Sequence, residues 1–194
     1  MVEVRPKKIS ERIESYNYLL YRIGDTYFAK NGLSGNIDYS SSNFKSVYDA
    51  VSAVLTVSGG SIVLRSGDTF TATSGLSGYS NVNVEGYGAT LQVSSDTAYT
   101  NALTFNDIVN SVWRSVNVER VGTNAGTSHV LYVSGATDES VKFLDCNFTN
   151  SVTGTAAICY GVYSMGSACP TFSGCTITGG SGGGSSSGVV SVDS

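Results

Sequence analysis

The residues with chemical or recognition potential are two glutamates, two tyrosines, two asparagines, four cysteines and a single histidine. Glu85 closes the run Val82-Asn83-Val84-Glu85, and Glu119 closes the matching run Val116-Asn117-Val118-Glu119. Strands stacked in that register would hold the two Cα atoms about 5 Å apart. Carboxylates that close can form the pair of a retaining glycosidase, or share one proton. They also suit a plain polar surface, with Arg120 to neutralise one of them. Glu85 and Glu119 are therefore only weak catalytic candidates, and no catalytic residue is assigned.

Tyr132 and Tyr163 occupy equivalent places in Leu131-Tyr132-Val133 and Val162-Tyr163-Ser164. Stacked on an outer surface, they would offer aromatic area to a sugar or a protein. Asn117 and Asn147 are similarly matched. They are expected to bond along a ladder and are the other ligand-binding candidates. Asn147-Phe148-Thr149 also fits the glycosylation pattern, which matters only in a glycosylating compartment. Cys146 and Cys175 should lie one repeat apart as a buried thiol stack, close enough for a disulfide but not favouring one. Cys159 and Cys169 flank a loop and are the disulfide candidates. Without a C-x-x-C pair or a nearby histidine, no zinc site is expected. His129 precedes a strand with no partner in view and reads as structural. Neither metal nor cofactor is expected.

A repeat positions these residues. Trp113-Arg114-Ser115-Val116-Asn117-Val118 is echoed by Phe143-Leu144-Asp145-Cys146-Asn147-Phe148 and then by Phe172-Ser173-Gly174-Cys175-Thr176-Ile177. A second track runs in step through Leu103-Thr104-Phe105, Leu131-Tyr132-Val133 and Val162-Tyr163-Ser164. A period near 29–30 with short β-prone runs predicts coils stacked so that their strands pair in parallel. Alternation sends Val116, Val118, Cys146, Phe148, Cys175 and Ile177 inward. It leaves Asn117, Asn147 and Thr176 in an outer row. A β-sandwich is the other architecture considered, but it does not explain the period.

Residues 1–15 form a charged, polar arm, suited to fraying or to tethering a neighbouring subunit. Tyr18–Ile23 and Thr26–Lys30 flank Gly24-Asp25 and predict a hairpin. Phe44, Val47, Tyr48, Val51, Val54 and Leu55 share one helical face, predicting a helix over 43–55 that Ser42 or Asn43 caps and Ser58-Gly59-Gly60 ends. The organisation expected is an arm (1–15), a hairpin with a capping helix (16–58) and coils (59–194). Val189-Val190-Ser191-Val192 follows a Gly/Ser loop and reads as the opening of an incomplete last coil. That end is expected either to continue in a longer chain or to be covered by a partner.

The stretch Gly59-Gly60-Ser61-Ile62-Val63-Leu64, Ser66-Gly67-Asp68-Thr69-Phe70 and Val82-Asn83-Val84-Glu85-Gly86-Tyr87-Gly88-Ala89-Thr90-Leu91 follows the amphipathic helix. It resembles the entry segment of the pectate-lyase-like right-handed parallel β-helix superfamily, with Ser66 where a proline and Phe70 where a tyrosine often stand. The resemblance implies an all-β, right-handed parallel β-helix of about four coils. It implies little about activity, since lyases, hydrolases, tailspikes and inert structural proteins share that fold. The polygalacturonase motifs Asn-Thr-Asp, Asp-Asp, Gly-His-Asp and Arg-Ile-Lys are absent. Beyond Val121 the only Lys or Arg is Lys142, and the acids are Asp138, Glu139, Asp145 and Asp193. That is too sparse for an anion-processing groove.

With 11 Lys+Arg against 15 Asp+Glu, the net charge of -4 disfavours non-specific nucleic-acid binding. No apolar run is long enough for a membrane helix, and Met1–Ser15 lacks the apolar core of a secretory signal. The expectation is a non-enzymatic virion-surface protein: a spike, fibre or turret subunit of an archaeal or bacterial virus. It would assemble as a homo-oligomer, a trimer by preference, with other virion or surface proteins. It would present one face to a host glycan or protein. The alternatives are a carbohydrate-active enzyme (a polysaccharide lyase or glycoside hydrolase) and a cell-surface adhesion module.

Overall fold

The structure is a computed structural model. It describes residues 16–94, 101–123, 126–135, 140–153, 158–165, 170–180 and, as backbone, 186–192. The arm over 1–15 and Cys169 lie outside the described residues, as do Asp138, Glu139 and Asp193.

β1 (Tyr18–Ile23) and β2 (Thr26–Asn31) form the expected antiparallel hairpin, and β3 (Ile37–Ser41) adds to β2. Gly24 takes the left-handed φ of 57° that a two-residue turn demands. α1 (Phe44–Ser58) is capped by Asn43, whose side chain accepts from the Lys45 N–H at 3.0 Å. It ends at Gly59, where φ is 71° and the N–H reaches the Leu55 carbonyl at 2.7 Å. Its apolar stripe of Phe44, Val47, Tyr48, Val51 and Leu55 is buried; Val54, assigned to the same face, is 44% exposed.

The remaining strands come in threes. The first three are β4 (Gly60–Leu64), β5 (Thr69–Ala72) and β6 (Leu76–Ser77); the next are β7 (Val82–Glu85), β8 (Thr90–Ser94) and β9 (Asn101–Asn106). Then follow β10 (Ser111–Arg114), β11 (Asn117–Thr123) and β12 (Thr127–Ser134), and β13 (Val141–Leu144), β14 (Asn147–Thr153) and β15 (Ile158–Met165). The last are β16 (Thr171–Ser173), β17 (Thr176–Thr178) and β18 (Ser186–Val192). Every third strand is a parallel neighbour. The sheets run β16-β13-β10-β7-β4-β1-β2-β3, β17-β14-β11-β8-β5 and β18-β15-β12-β9-β6. The chain is thus mostly β with parallel sheets, and one strand from each sheet makes a tier.

Five tiers are present among the described residues, where about four coils were expected. The first tier, β4–β6, lies within the 59–194 span expected for the coils but departs from their period. Ile62 pairs with Val84 and Phe70 with Leu91, so its steps of 22 and 21 residues fall short of the later period.

The corner between first and second sheets is built alike in successive tiers. Ser115 and Asp145 hold left-handed φ values of 52° and 53°, each followed by an inward residue, Val116 and Cys146. Val116, Val118, Cys146 and Phe148 are buried as expected, while Cys175 and Ile177 in the last tier are half-buried. Cys146 and Cys175 are free thiols. The Cys146 thiol donates toward the Trp113 carbonyl at 3.4 Å, and burial pushes its pKa up to about 11. Cys159 is also a buried free thiol, with Sγ 3.8 Å from Ser128 Oγ.

Candidate recognition site

The two glutamates do not meet. Glu85 lies on β7 of the first sheet, beside Arg114 of β10; Glu119 lies on β11 of the second sheet, beside Gln92 and Thr149. The shared Val-Asn-Val-Glu text sits on strands of different sheets, because any strand with an inner and an outer face can carry it. Glu85 accepts from Arg114 Nη1 at 3.3 Å. Glu119 accepts from Gln92 Nε2 at 3.1 Å and from Ser151 Oγ at 3.0 Å. Arg120 points inward, fully buried, and donates to the Val93 carbonyl at 3.5 Å and to that of Val121. It neutralises neither glutamate, and the paired-carboxylate reading falls.

Asn117, Asn147 and Thr176 do align in one row. Asn117 Nδ2 donates to the Gly88 carbonyl at 3.0 Å rather than to its neighbour, and Asn147 Oδ1 is buried without a hydrogen-bond partner. The continuous side-chain ladder is therefore interrupted. Both asparagines line a small concavity of about 260 Å³ with Glu119 and Thr149.

Tyr132 and Tyr163 are in register, their rings stacked at 5.7 Å and 4°. A second stack stands beside them: His129 on Tyr160, at 5.4 Å and 9°. The two stacks lean together. Tyr160 and Tyr163 are tilted by 41° at 5.7 Å, His129 and Tyr132 by 46° at 5.5 Å. Four half-buried rings thus form the walls of a trough of about 370 Å³, with Thr127 and Met165 on its margin.

Local sequence produces the tilt. β12 and β15 break their alternation at Val130-Leu131 and Gly161-Val162, where two successive residues face inward. The outer residues on either side are brought together. β9 repeats the pattern with Asn101, Ala102, Leu103 and Thr104. Asn101 pairs with His129, and Thr104 with Tyr132, so polar residues adjoin the rings in the neighbouring tier.

Asn101 Oδ1 lies 2.6 Å from His129 Nδ1. That contact puts the ring proton on Nδ1 and leaves Nε2 as an acceptor. Burial lowers the His129 pKa to about 4, so the ring is neutral near pH 7. The trough is lined by no carboxylate or ammonium among the described residues. It offers ring surface, tyrosine hydroxyls and one imidazole acceptor, and nothing there is placed as a nucleophile. No group of three or more metal-ligating side chains occurs among the described residues, and no described helix is long and apolar enough to cross a membrane.

Comparison with family models, curated proteins and solved structures yields no match for this chain. The site's chemistry therefore carries the functional argument.

Tyr132 and Tyr163 were legible in the sequence. Tyr160 and the partners of His129 were missed. Their signal was the recurring outward–inward–inward–outward text of Asn101–Thr104, His129–Tyr132 and Tyr160–Tyr163.

Proposed function

We propose that the chain is a right-handed parallel β-helix acting as a non-enzymatic recognition protein, with a glycan seated in the trough on the outer side of the two contacting ring stacks. The observation that carries this reading is the pairing of His129–Tyr160 with Tyr132–Tyr163 as inclined aromatic walls free of carboxylates. Pyranose rings present C–H faces to aromatic surface and hydroxyls to neighbouring acceptors and donors. Here those are tyrosine hydroxyls and the His129 acceptor nitrogen. Loss of the Glu85–Glu119 pair removes the observation that favoured a glycosidase. The three-strand tiers and the capping helix support the β-helix, and a virion spike, fibre or turret is the setting proposed. Assembly as a homotrimer belongs to the same reading, and light scattering after gel filtration tests it: a monomer removes that part.

The test of recognition is titration with neutral hexaoses of glucose, mannose, galactose and N-acetylglucosamine. Tyr163→Ala, at a half-exposed outer position, should leave folding intact and weaken the tightest complex about tenfold, or about 1.4 kcal/mol. Equal affinity in the variant, or no binding by the intact protein, would sink the proposal.

A further inference from the structure

Six described residues other than glycine hold a positive φ: Asn81, Tyr87, Asp107, Asn110, Ser115 and Asp145. Five are small and polar, types suited to local backbone bonding in turns. Tyr87, at φ 44°, is the bulky one. Its ring is not there to fill the core, since the residue is 51% exposed. The backbone around it is pinned by three bonds: Gly86 N–H to the Arg114 carbonyl at 2.8 Å, Gly88 N–H to the Ser115 carbonyl at 2.8 Å, and Ser66 Oγ to the Tyr87 carbonyl at 2.9 Å. A strained aromatic is thus held outward in a position that glycine fills freely.

It faces a groove of about 410 Å³ on the outer side of the first sheet. Tyr16 and Val63 line it with Tyr87, and its polar members are Ser61, Asn83, Glu85 and Arg114. Arg114 Nη1 donates to Glu85 Oε1 at 3.3 Å, with both side chains partly open to solvent. Asn83 Oδ1 accepts from the Val112 N–H at 2.9 Å, which turns the Asn83 amide donors to other use. The groove thus combines a carboxylate with an oxygen to spare, a guanidinium with donors to spare, an anchored amide and an aromatic plate.

We infer that this groove is a second binding site, separate from the trough, for the pyranose ring of a neutral saccharide. The ring would lie on Tyr87. Vicinal hydroxyls would donate to Glu85 and accept from Arg114 and Asn83. Neutrality follows from the ion pair: an anionic group approaching Arg114 meets the Glu85 carboxylate beside it. The trough is on the third sheet and this groove on the first, so the two sites would engage separate parts of a surface and act together.

The test uses the full chain carrying Tyr163→Ala, so that the trough is weakened, titrated with the same neutral hexaoses and with oligogalacturonate as an acidic probe. A neutral hexaose is expected to remain bound. Adding Tyr87→Gly should then reduce its affinity at least tenfold while the melting temperature holds or rises, because glycine adopts φ 44° without strain. Glu85→Gln, which keeps the side-chain shape, should weaken the same complex. A melting temperature that falls with Tyr87→Gly would show the ring to be structural and overturn the inference. So would affinity unchanged by Tyr87→Gly, no neutral hexaose bound in the Tyr163→Ala protein, or preference for oligogalacturonate. Loss of binding by Tyr163→Ala alone, with Tyr87→Gly silent, would leave the trough standing and remove the groove.

Discussion

Trp113→Ala is expected to lower stability by about 3–5 kcal/mol. Trp113 is fully enclosed on β10, and its indole packs edge-on against Phe105 of the third sheet at 5.8 Å. It also meets Tyr48 of α1 at 6.4 Å. One side chain therefore joins the capping helix to two sheets, and the surrounding strands are too fully hydrogen-bonded to collapse into the space it would leave. Urea denaturation followed by circular dichroism should show a lower midpoint with an unchanged slope. Trp113→Phe, which keeps a ring there, should lose less than half as much. A loss below about 1 kcal/mol for the alanine variant would mean that the site relaxes and the enclosed indole does not link the layers.

The second large effect is a loss of stability on acidification. His129 titrates at about 4 in the fold because burial penalises the imidazolium, whereas an unfolded histidine titrates near its ordinary value of 6.5. Between those limits the unfolded chain takes up a proton that the folded chain refuses. Stability is therefore fully present above about pH 6.5 and falls as the pH drops toward 4, with no further contribution from this group below that. Allowing for water that reaches the half-buried ring, the change is on the order of 2 kcal/mol. Glycan binding by the folded chain should hold through that interval and weaken only as the pH passes through about 4, where Nε2 is protonated in the fold and can no longer accept. Denaturation midpoints at pH 7.5 and pH 4.5 provide the measurement, with His129→Gln as the control that flattens the profile. An equal pH dependence in that variant would assign the effect to the carboxylates instead.

Much of the parallel stacking could be read from the spacing of Trp113, Phe143 and Phe172, because side chains of one row must fill the same layer of the core. The three bulky residues are direct neighbours in the first sheet, as that reading requires. Glu85 and Glu119 show where such reading fails. Four matching letters describe a strand with an inner and an outer face, and all three sheets have such strands; only the count of residues along the chain says which sheet is meant. Counting 29 residues from Glu85 reaches Arg114, and the structure makes that contact an ion pair. His129 failed for another reason. Its partners Asn101 and Tyr160 lie one tier away on either side, and a hydrogen bond or ring stack between tiers leaves no local pattern. The first tier, within the 59–194 span expected for coils, departs from the 29–30 period because its corners are tight and its strands short, with β6 reduced to Leu76–Ser77.

Neighbouring strands within each parallel sheet are joined by bonds pointing in the direction in which tiers accumulate. The same arrangement sets how the molecule bears force. Tension applied along that direction would open one tier boundary at a time, as a zipper opens, whereas a sideways pull would have to shear many bonds together. Equivalent residues in adjacent tiers are 29 positions apart at Val82 and Ser111, so each tier that gives way releases about 100 Å of chain. Tethered at one end and gripping a surface at the other, such a protein would lengthen in steps and absorb work between them, holding on through a jolt that would snap a more brittle attachment.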